Sequence, residues 1–141
     1  MEKYILIDSC YWFGLFDIKD QYKNYSNEVK DIIKGHKLII PYPSLYEVLN
    51  SKFIKNKIAL NTIESLIKSG EILLLEDEEY RQNALENTYS IYRTQLPQIS
   101  FVDSIIREIL SDPKIRIDVL VTYNEKDFKD VCDRYKITIL P

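Results

Sequence analysis

The sequence predicts an α/β fold: a three-layer α/β/α sandwich around a mostly parallel sheet of four to five strands. Short apolar runs alternate with segments of helical periodicity along all 141 residues. The runs lack the polar alternation of half-exposed strands, as is typical of strands buried on both faces. With only 3 Gly and 5 Pro there is little room for long linkers, and we expect a single domain over residues 1–141.

The first predicted strand, Tyr4–Ile7, ends on a carboxylate, Asp8, which Ser9 follows. The carboxyl ends of parallel strands line the ligand crevice of an open α/β sheet, so Asp8 is predicted to face a site. The aromatic-rich segment Ser9–Phe16 predicts a short helix.

A helix over residues 21–34, ended by Gly35, and a strand over residues 37–40, ended by Pro41, are predicted next. The apolar face predicted for this helix carries Tyr22, Tyr25, Val29, Ile32 and Ile33.

The middle of the chain predicts a helix that opens at Ser44 and reaches Phe53, then a helix over residues 58–68 closed by Gly70, and a strand at Ile72–Leu75. An acidic run begins a long helix that Pro97 ends. The remaining predicted elements are an amphipathic helix at 100–111, a strand at 119–122, a helix at 124–135 and a strand at 137–140.

Charge and cysteine usage exclude several classes of protein. A net charge of −3 gives no global basic field, so contact with nucleic acid would need a local basic patch or metal ions. Cys10 and Cys132 have no CxxC spacing, and reduced thiols in a cytoplasmic protein are the simplest interpretation.

No apolar run approaches the roughly 18 residues of a membrane span, and Asp8 interrupts the first run, so we expect no signal peptide.

Acids recur three residues after a candidate cap at predicted helix starts. The pairs are Ser44 with Glu47, Ser100 with Asp103, and Asn124 with Asp127. Helix capping explains each pair taken alone, whereas Asp8 is expected to stand outside this pattern. Several acids meeting at one sheet edge would repel one another unless a cation is bound or some are protonated. Oxygen ligands of this kind suit Mg²⁺ or Mn²⁺.

Four motifs occur in order: a strand ending in Asp8-Ser9, a Pro-x-Ser-x-x-Glu helix start at Glu47, Val102-Asp103-Ser104, and Val-Thr122-x-Asn124-x-x-Asp127-Phe128. This order resembles the PIN-domain family of metal-dependent ribonucleases, and the chain is similar in size to the VapC-type toxins of toxin–antitoxin pairs. The resemblance spans nearly the whole chain. It implies one PIN-like nuclease domain, residues 1–141, that hydrolyses RNA with Mg²⁺ or Mn²⁺.

The resemblance also implies roles for particular residues. Asp8, Glu47 and Asp103 would form the catalytic and metal-binding triad. Many relatives have an acid where this chain has Asn124, so the fourth metal-site position is either that neutral amide or Asp127. The residues expected to support the site by hydrogen bonds are Ser9, Thr122 and Asn124.

Partners and alternatives follow from the same resemblance. RNA is the expected substrate, and similar toxins commonly form homodimers and are blocked by a small antitoxin protein.

Two alternatives stay open: a catalytically weak PIN-like module that binds protein or RNA, and a housekeeping RNA-processing nuclease. A phosphoacceptor receiver domain is disfavoured because Asp8 lacks an adjacent acid, and the glycine motifs of nucleotide-binding sites are absent.

Aromatic and basic residues offer further candidates. Most of the 11 tyrosines are expected to pack in the core or at interfaces, whereas Tyr11 and Trp12 are expected at the crevice mouth or a dimer face. The densest local cationic patch is Lys52, Lys55 and Lys57.

Overall fold

A computed structural model describes the backbone of residues 1–94 and 98–140 and the side chains of residues 1–90 and 98–140. Its sheet has five strands in the order β3-β2-β1-β4-β5, and every neighbouring pair is parallel. The strands are β1 (Tyr4–Ile7), β2 (Lys37–Pro41), β3 (Ile72–Leu75), β4 (Val119–Val121) and β5 (Thr138–Leu140). Because β1 is central and pairs with both β2 and β4, the residues that follow these strands lie at one edge of the sheet.

Helices cover both faces of the sheet. They are α1 (Ser9–Phe16), α2 (Lys23–Ile33), α3 (Tyr42–Leu49), α4 (Lys57–Lys68), α5 (Glu78–Thr94), α6 (Phe101–Leu110) and α7 (Lys129–Tyr135), with 3₁₀ turns at Lys52–Lys55 and Glu125–Asp127. Pro97, the predicted end of α5, lies outside the described residues. In the part of the chain that the structure describes, no helix combines the length and apolar character that a membrane crossing needs.

The two faces of β1 enter two separate cores. Ile5 and Ile7 pack with α1 to α4, whereas Leu6 packs with α5, α6 and α7. All three side chains are at most 2% exposed. A strand buried on both faces needs apolar residues at every position, which explains the continuous apolar run in the sequence. The predicted three-layer sandwich is therefore confirmed.

Several predicted boundaries are wrong. The helix expected to run from Ser44 to Phe53 is α3, which begins at Tyr42 and ends at Leu49, and Phe53 lies in the separate 3₁₀ turn. Pro41 does not end β2 early, because its backbone is extended (φ −66°, ψ 143°) and it pairs with Leu75 of β3.

The predictions for α2 and for the C-terminal helix also need correction. Ile32, expected on the buried face of α2, is 56% exposed, and Tyr22 precedes the helix as its N-cap residue. The helix expected over residues 124–135 is divided into the 3₁₀ turn and α7, which follows Phe128. Phe128, which is fully buried, lies between these two pieces with a non-helical backbone (φ −127°, ψ −9°).

Helices α1 and α2 are in close contact at Gly14. A Cβ atom at this position would lie 2.3 Å from Ser26 Oγ. Ser26 cannot move away freely, because its hydroxyl donates to the Tyr11 carbonyl at 3.3 Å and is also bonded to the Tyr123 hydroxyl. The missing side chain at Gly14 therefore allows the two helices to pack.

We expect Gly14→Ala to lower the free energy of unfolding by about 1–2 kcal/mol, because the overlap with Ser26 outweighs the better helix propensity of alanine. Urea unfolding measures this change. In a Ser26→Gly background the overlap is gone, and Gly14→Ala is then expected to be neutral or stabilising. An equal loss of stability in both backgrounds would contradict this account of the contact.

Candidate active site

The site is centred on Asp8, which follows the central strand β1. Its amide donates to the Val121 carbonyl at 3.0 Å, so the parallel pairing of β1 with β4 continues to the residue that bears the carboxylate. The Thr122 hydroxyl, next along β4, donates to Asp8 Oδ2 at 2.9 Å. Asp8 is 6% exposed and Thr122 is fully buried. The sheet register therefore fixes a buried carboxylate at the carboxyl end of β1.

Two further groups, from Ser9 and Cys10, contact the Asp8 carboxylate. Oδ1 accepts from the Ser9 amide at 2.8 Å, which makes Asp8 the N-cap residue of α1. The Cys10 thiol lies 3.8 Å from Oδ2. Burial raises the pKa of Asp8 above its ordinary value, and the hydrogen bonds from Thr122, Ser9 and Cys10 offset part of that rise. Asp8 does lie outside the pattern of an acid three residues after a cap, but it was expected to be the acid least explained by helix capping, and that part is wrong because Asp8 is itself the N-cap residue of α1.

Glu47 reaches the site from α3. Its carboxylate accepts from the Ser9 hydroxyl at 3.2 Å, which connects it to Asp8 through one residue. Desolvation and the nearby Asp8 charge raise the pKa of Glu47, and the bond from Ser9 lowers it in part. Ser44 is buried and does not cap α3, since Pro41 occupies the N-cap position. The capping explanation for Glu47 is therefore wrong.

Asp103 lies in the first turn of α6. Its amide donates to Ser100 Oγ at 3.1 Å, so Ser100 is confirmed as the N-cap residue. Desolvation, followed by the charges of Asp8, Asp127 and Glu47, raises the pKa of Asp103 to about 7, and the Ser100 side chain lowers it in part. All four predicted acids therefore contribute to one electrostatic field.

The chain after β4 carries Asn124 and Asp127. The Asn124 backbone amide donates to Thr122 Oγ1 at 3.1 Å, and its side-chain amide donates to Asp127 Oδ2. Asn124 makes no side-chain bond that caps the following 3₁₀ turn, so that expectation is wrong. Asn124 instead connects the Asp127 carboxylate, through its side-chain amide, to the Thr122–Asp8 pair, through its backbone amide.

Arg107 is a site neighbour that the sequence analysis missed. Its guanidinium donates to the Asp127 carbonyl at 2.7 Å and makes two bonds of 2.7 Å to Asp130. This arginine holds the pKa of Asp130 down at about 2. Its spacing of one helical turn from Asp103 was the available signal, but nothing local indicates its partners 20 and 23 residues later.

Residues near the start of α1 differ from expectation. Tyr11 and Trp12, expected at the crevice mouth or a dimer face, are each 2% exposed and belong to the core. Cys10, which carried no predicted role, lies against the site: its sulfur accepts from the Tyr123 amide at 3.4 Å, and burial raises the pKa of its thiol to about 12. Lys52 of the predicted cationic patch pairs with Asp17 at 2.8 Å.

The donor set fits a divalent cation in charge and chemistry, but its side chains do not converge. Within residues 1–94 and 98–140, no group of three His, Cys, Asp or Glu side chains is placed to hold a metal ion together. The acids nevertheless raise each other's pKa, as the interactions of Asp8, Glu47 and Asp103 show. Carboxylate oxygens are the ligands that Mg²⁺ and Mn²⁺ prefer. A bound cation would also relieve the repulsion between the carboxylates.

The fold is shared with two solved structures. The VapC20 toxin of Mycobacterium tuberculosis, described as cleaving the sarcin–ricin loop, has a TM-score of 0.67 and 12% identity over 89% of this chain and 94% of that one. VapBC2 of Rickettsia felis, bound to a promoter DNA fragment, has a TM-score of 0.59 and 16% identity over 96% of each chain. No protein-family model and no curated protein matches the chain in sequence. The resemblance to VapC-type PIN-domain proteins is therefore confirmed at the level of the fold.

The raised pKa of Asp103 predicts a pH-dependent stability. Between an unfolded pKa of 3.8 and a folded pKa of about 7, the folded state binds more protons, so the stability falls as the pH rises through this window. Asp103→Asn has no such charge. In EDTA we expect it to match the wild type near about pH 4 and to exceed it by about 1–3 kcal/mol near about pH 8, with partial screening by solvent included.

Urea unfolding at the two pH values measures this difference. Asp130→Asn is the matched control with the opposite sign, because Arg107 lowers the pKa of Asp130 and the variant should be less stable than the wild type near about pH 8. A stability difference for Asp103→Asn that does not change with pH would contradict the shared field of the acids.

Proposed function

We propose that this chain is a metal-dependent endoribonuclease, with one nuclease domain over residues 1–141, and that it is the toxin of a type II toxin–antitoxin pair. The observation that carries the proposal is the group of mutually coupled acids around Asp8 at the carboxyl ends of β1 and β4. The fold likeness to VapC20, whose description names cleavage of the sarcin–ricin loop, and to VapBC2 supports it.

The residues that would hold Mg²⁺ or Mn²⁺ are Asp8, Glu47, Asp103 and Asp127. Such an ion, when bound, neutralises charge that develops on the phosphate and lowers the pKa of a bound water. The four acids offer only oxygen donors, which is the ligand type these two ions prefer.

The chain's own hydrogen bonds prepare this set of acids. Thr122 and the Ser9 amide fix both oxygens of Asp8, so that the carboxylate is oriented before any substrate arrives. The Ser9 hydroxyl orients Glu47, and the Asn124 side chain orients Asp127. These neutral donors hold the carboxylates without neutralising their charge, and the repulsion that remains favours binding of a cation.

The partners in this proposal are an RNA substrate, a small antitoxin protein and a second copy of the chain in a homodimer. The fold likeness to the VapBC2 complex supports the antitoxin. The proposed compartment is the cytoplasm, in keeping with the two cysteines, both of which are free thiols.

A catalytically weak binding module is the second candidate. The absence of a converged ligand group among the residues described favours it, because a site that must rearrange to bind metal binds it more weakly. In that case the PIN-like fold would act through protein or RNA binding alone. Metal-dependent turnover separates the two candidates.

We expect Asp8→Asn to reduce Mn²⁺- or Mg²⁺-dependent cleavage of RNA by at least about 100-fold, because it removes the charge at the centre of the acidic group. Gel analysis of a labelled RNA measures the rate, and circular dichroism checks the fold. Glu71→Gln, an exposed acid before β3, is the matched control and should retain the wild-type rate.

The same variants test the role as a toxin. Expression of the wild type and of Glu71→Gln should arrest growth of a bacterial host, whereas Asp8→Asn should not. Equal cleavage by the wild type, by Asp8→Asn and by protein in EDTA would overturn the proposal of a metal-dependent nuclease.

A further inference from the structure

Arg107 connects three elements beside the candidate site. It lies in α6 one helical turn after Asp103, so the two residues share a face of that helix. Its Nη1 donates to the backbone carbonyl of Asp127, and Nη1 and Nη2 donate to the two carboxylate oxygens of Asp130, each at 2.7 Å. One guanidinium therefore ties α6 to the 3₁₀ turn Glu125–Asp127 and to the first turn of α7.

The pair of Arg107 with Asp130 holds the guanidinium in one orientation. Two parallel bonds to a carboxylate fix the plane of an arginine side chain. Arg107 holds the pKa of Asp130 down at about 2, so Asp130 stays ionised and the pair persists through the neutral range. Because Asp130 balances the charge of Arg107, the bond to the Asp127 carbonyl fixes a backbone position while adding little positive charge to the acids.

The turn that carries Asp127 needs support from outside. It is three residues long, and the Asp127 amide donates to the Asn124 carbonyl at 3.2 Å. Short 3₁₀ turns have poorer hydrogen-bond geometry than α-helices, so such a turn is more easily displaced. The Asn124 side chain holds the Asp127 carboxylate, but Asn124 is the N-cap residue of the same turn. Arg107, in contrast, fixes the turn to the helix that carries Asp103.

The two acids that Arg107 connects interact with each other. The charge of Asp127 raises the pKa of Asp103, after burial and the charge of Asp8. The carboxylates are therefore close enough to interact, although no three acids of the described residues are placed to hold an ion together. A displacement of the turn would change the distance between these two acids, and Arg107 opposes that displacement.

We propose that Arg107 is a positioning residue of the nuclease, which fixes the 3₁₀ turn against α6 so that Asp127 supplies the fourth metal ligand beside Asp103. The inference rests on the proposed function and deepens it by assigning the residue on which the fourth metal-site position depends. Arg107 differs from Ser9 and Thr122, because it holds the backbone of a ligand residue, whereas they hold carboxylates.

Calorimetric titration of Mn²⁺ into the full chain tests this role. We expect Arg107→Met to raise the Kd for Mn²⁺ about 10-fold, because residues that orient metal ligands have effects of this size. Arg107→Lys keeps the charge and a donor for the Asp127 carbonyl but loses the planar fork, so its Kd should lie between the other two. Arg116→Met, which removes an arginine that pairs with Asp118 at 3.1 Å just before β4, is the matched control and should bind like the wild type.

A double-mutant cycle separates positioning of Asp127 from a general loss of structure. In an Asp127→Asn background the ligand that Arg107 positions is already weakened, so Arg107→Met should change the Kd by less than about 2-fold further. An equal effect of Arg107→Met in both backgrounds would overturn the inference, because the arginine would then act through some other group.

Amide hydrogen exchange in EDTA gives a second readout that needs neither metal nor RNA. Arg107→Met should speed exchange in a peptide that covers residues 124–128, since the turn has lost its connection to α6. Arg116→Met should leave that exchange unchanged. Wild-type exchange rates in the turn of Arg107→Met would contradict the inference.

Steady-state cleavage of RNA distinguishes positioning from direct contact with the substrate. Arg107 and Asp130 line a cleft of about 320 Å³, so the guanidinium lies beside solvent. Positioning predicts that saturating Mn²⁺ restores most of the cleavage by Arg107→Met, with the KM for RNA unchanged. A raised KM for RNA together with a wild-type Kd for Mn²⁺ would mean that Arg107 contacts phosphate, and would overturn the inference.

The failure of the inference and that of the proposed function are distinguishable. A wild type that binds Mn²⁺ and cleaves RNA, together with an unchanged Kd in Arg107→Met, overturns the inference and leaves the nuclease proposal standing. A wild type that neither binds Mn²⁺ nor cleaves RNA overturns both.

Discussion

The hydrogen bond of 2.9 Å from the Thr122 hydroxyl to the Asp8 carboxylate is the contact on which the candidate site depends. It requires that β1 and β4, which are more than a hundred residues apart in sequence, pair in parallel with Ile7 opposite Val121. A shift of one residue would turn the side chain of Asp8 or Thr122 to the other face of the sheet. The register of β1 and β4 therefore determines both the burial of the apolar strands and the position of Asp8.

The second constraint is electrostatic. Asp8 is buried, and Glu47 and Asp103 lie close enough to it to raise their own pKa values. An arrangement of this kind costs stability unless protons or a cation compensate for the charge. Neutral hydrogen bonds from Ser9, Thr122 and Asn124 orient the acids and leave that charge in place. We interpret this loss of stability as a consequence of a site that is arranged to bind a divalent ion.

The sequence predicted the layers and the acids but not the way each acid is held. Continuous apolar runs identify buried strands, and their ends locate Asp8 because strand ends share one edge of a parallel sheet. The capping pattern was correct for Ser100 and wrong for Ser44, because the start of α3 is set by Pro41 and by burial, which no local spacing encodes. The contacts of Arg107 with Asp130 arise only when α6 packs beside α7.

Calorimetric titration of Mn²⁺ into the wild-type protein, in two buffers of different ionisation enthalpy, tests the central claim most directly. The ion must displace the proton that Asp103 holds, since the pKa of this carboxyl is raised to about 7. We therefore predict saturable binding that releases protons near about pH 6, with less release near about pH 8, and no binding to Asp8→Asn. Absence of binding to the wild type, or equal binding to Asp8→Asn, would contradict the account.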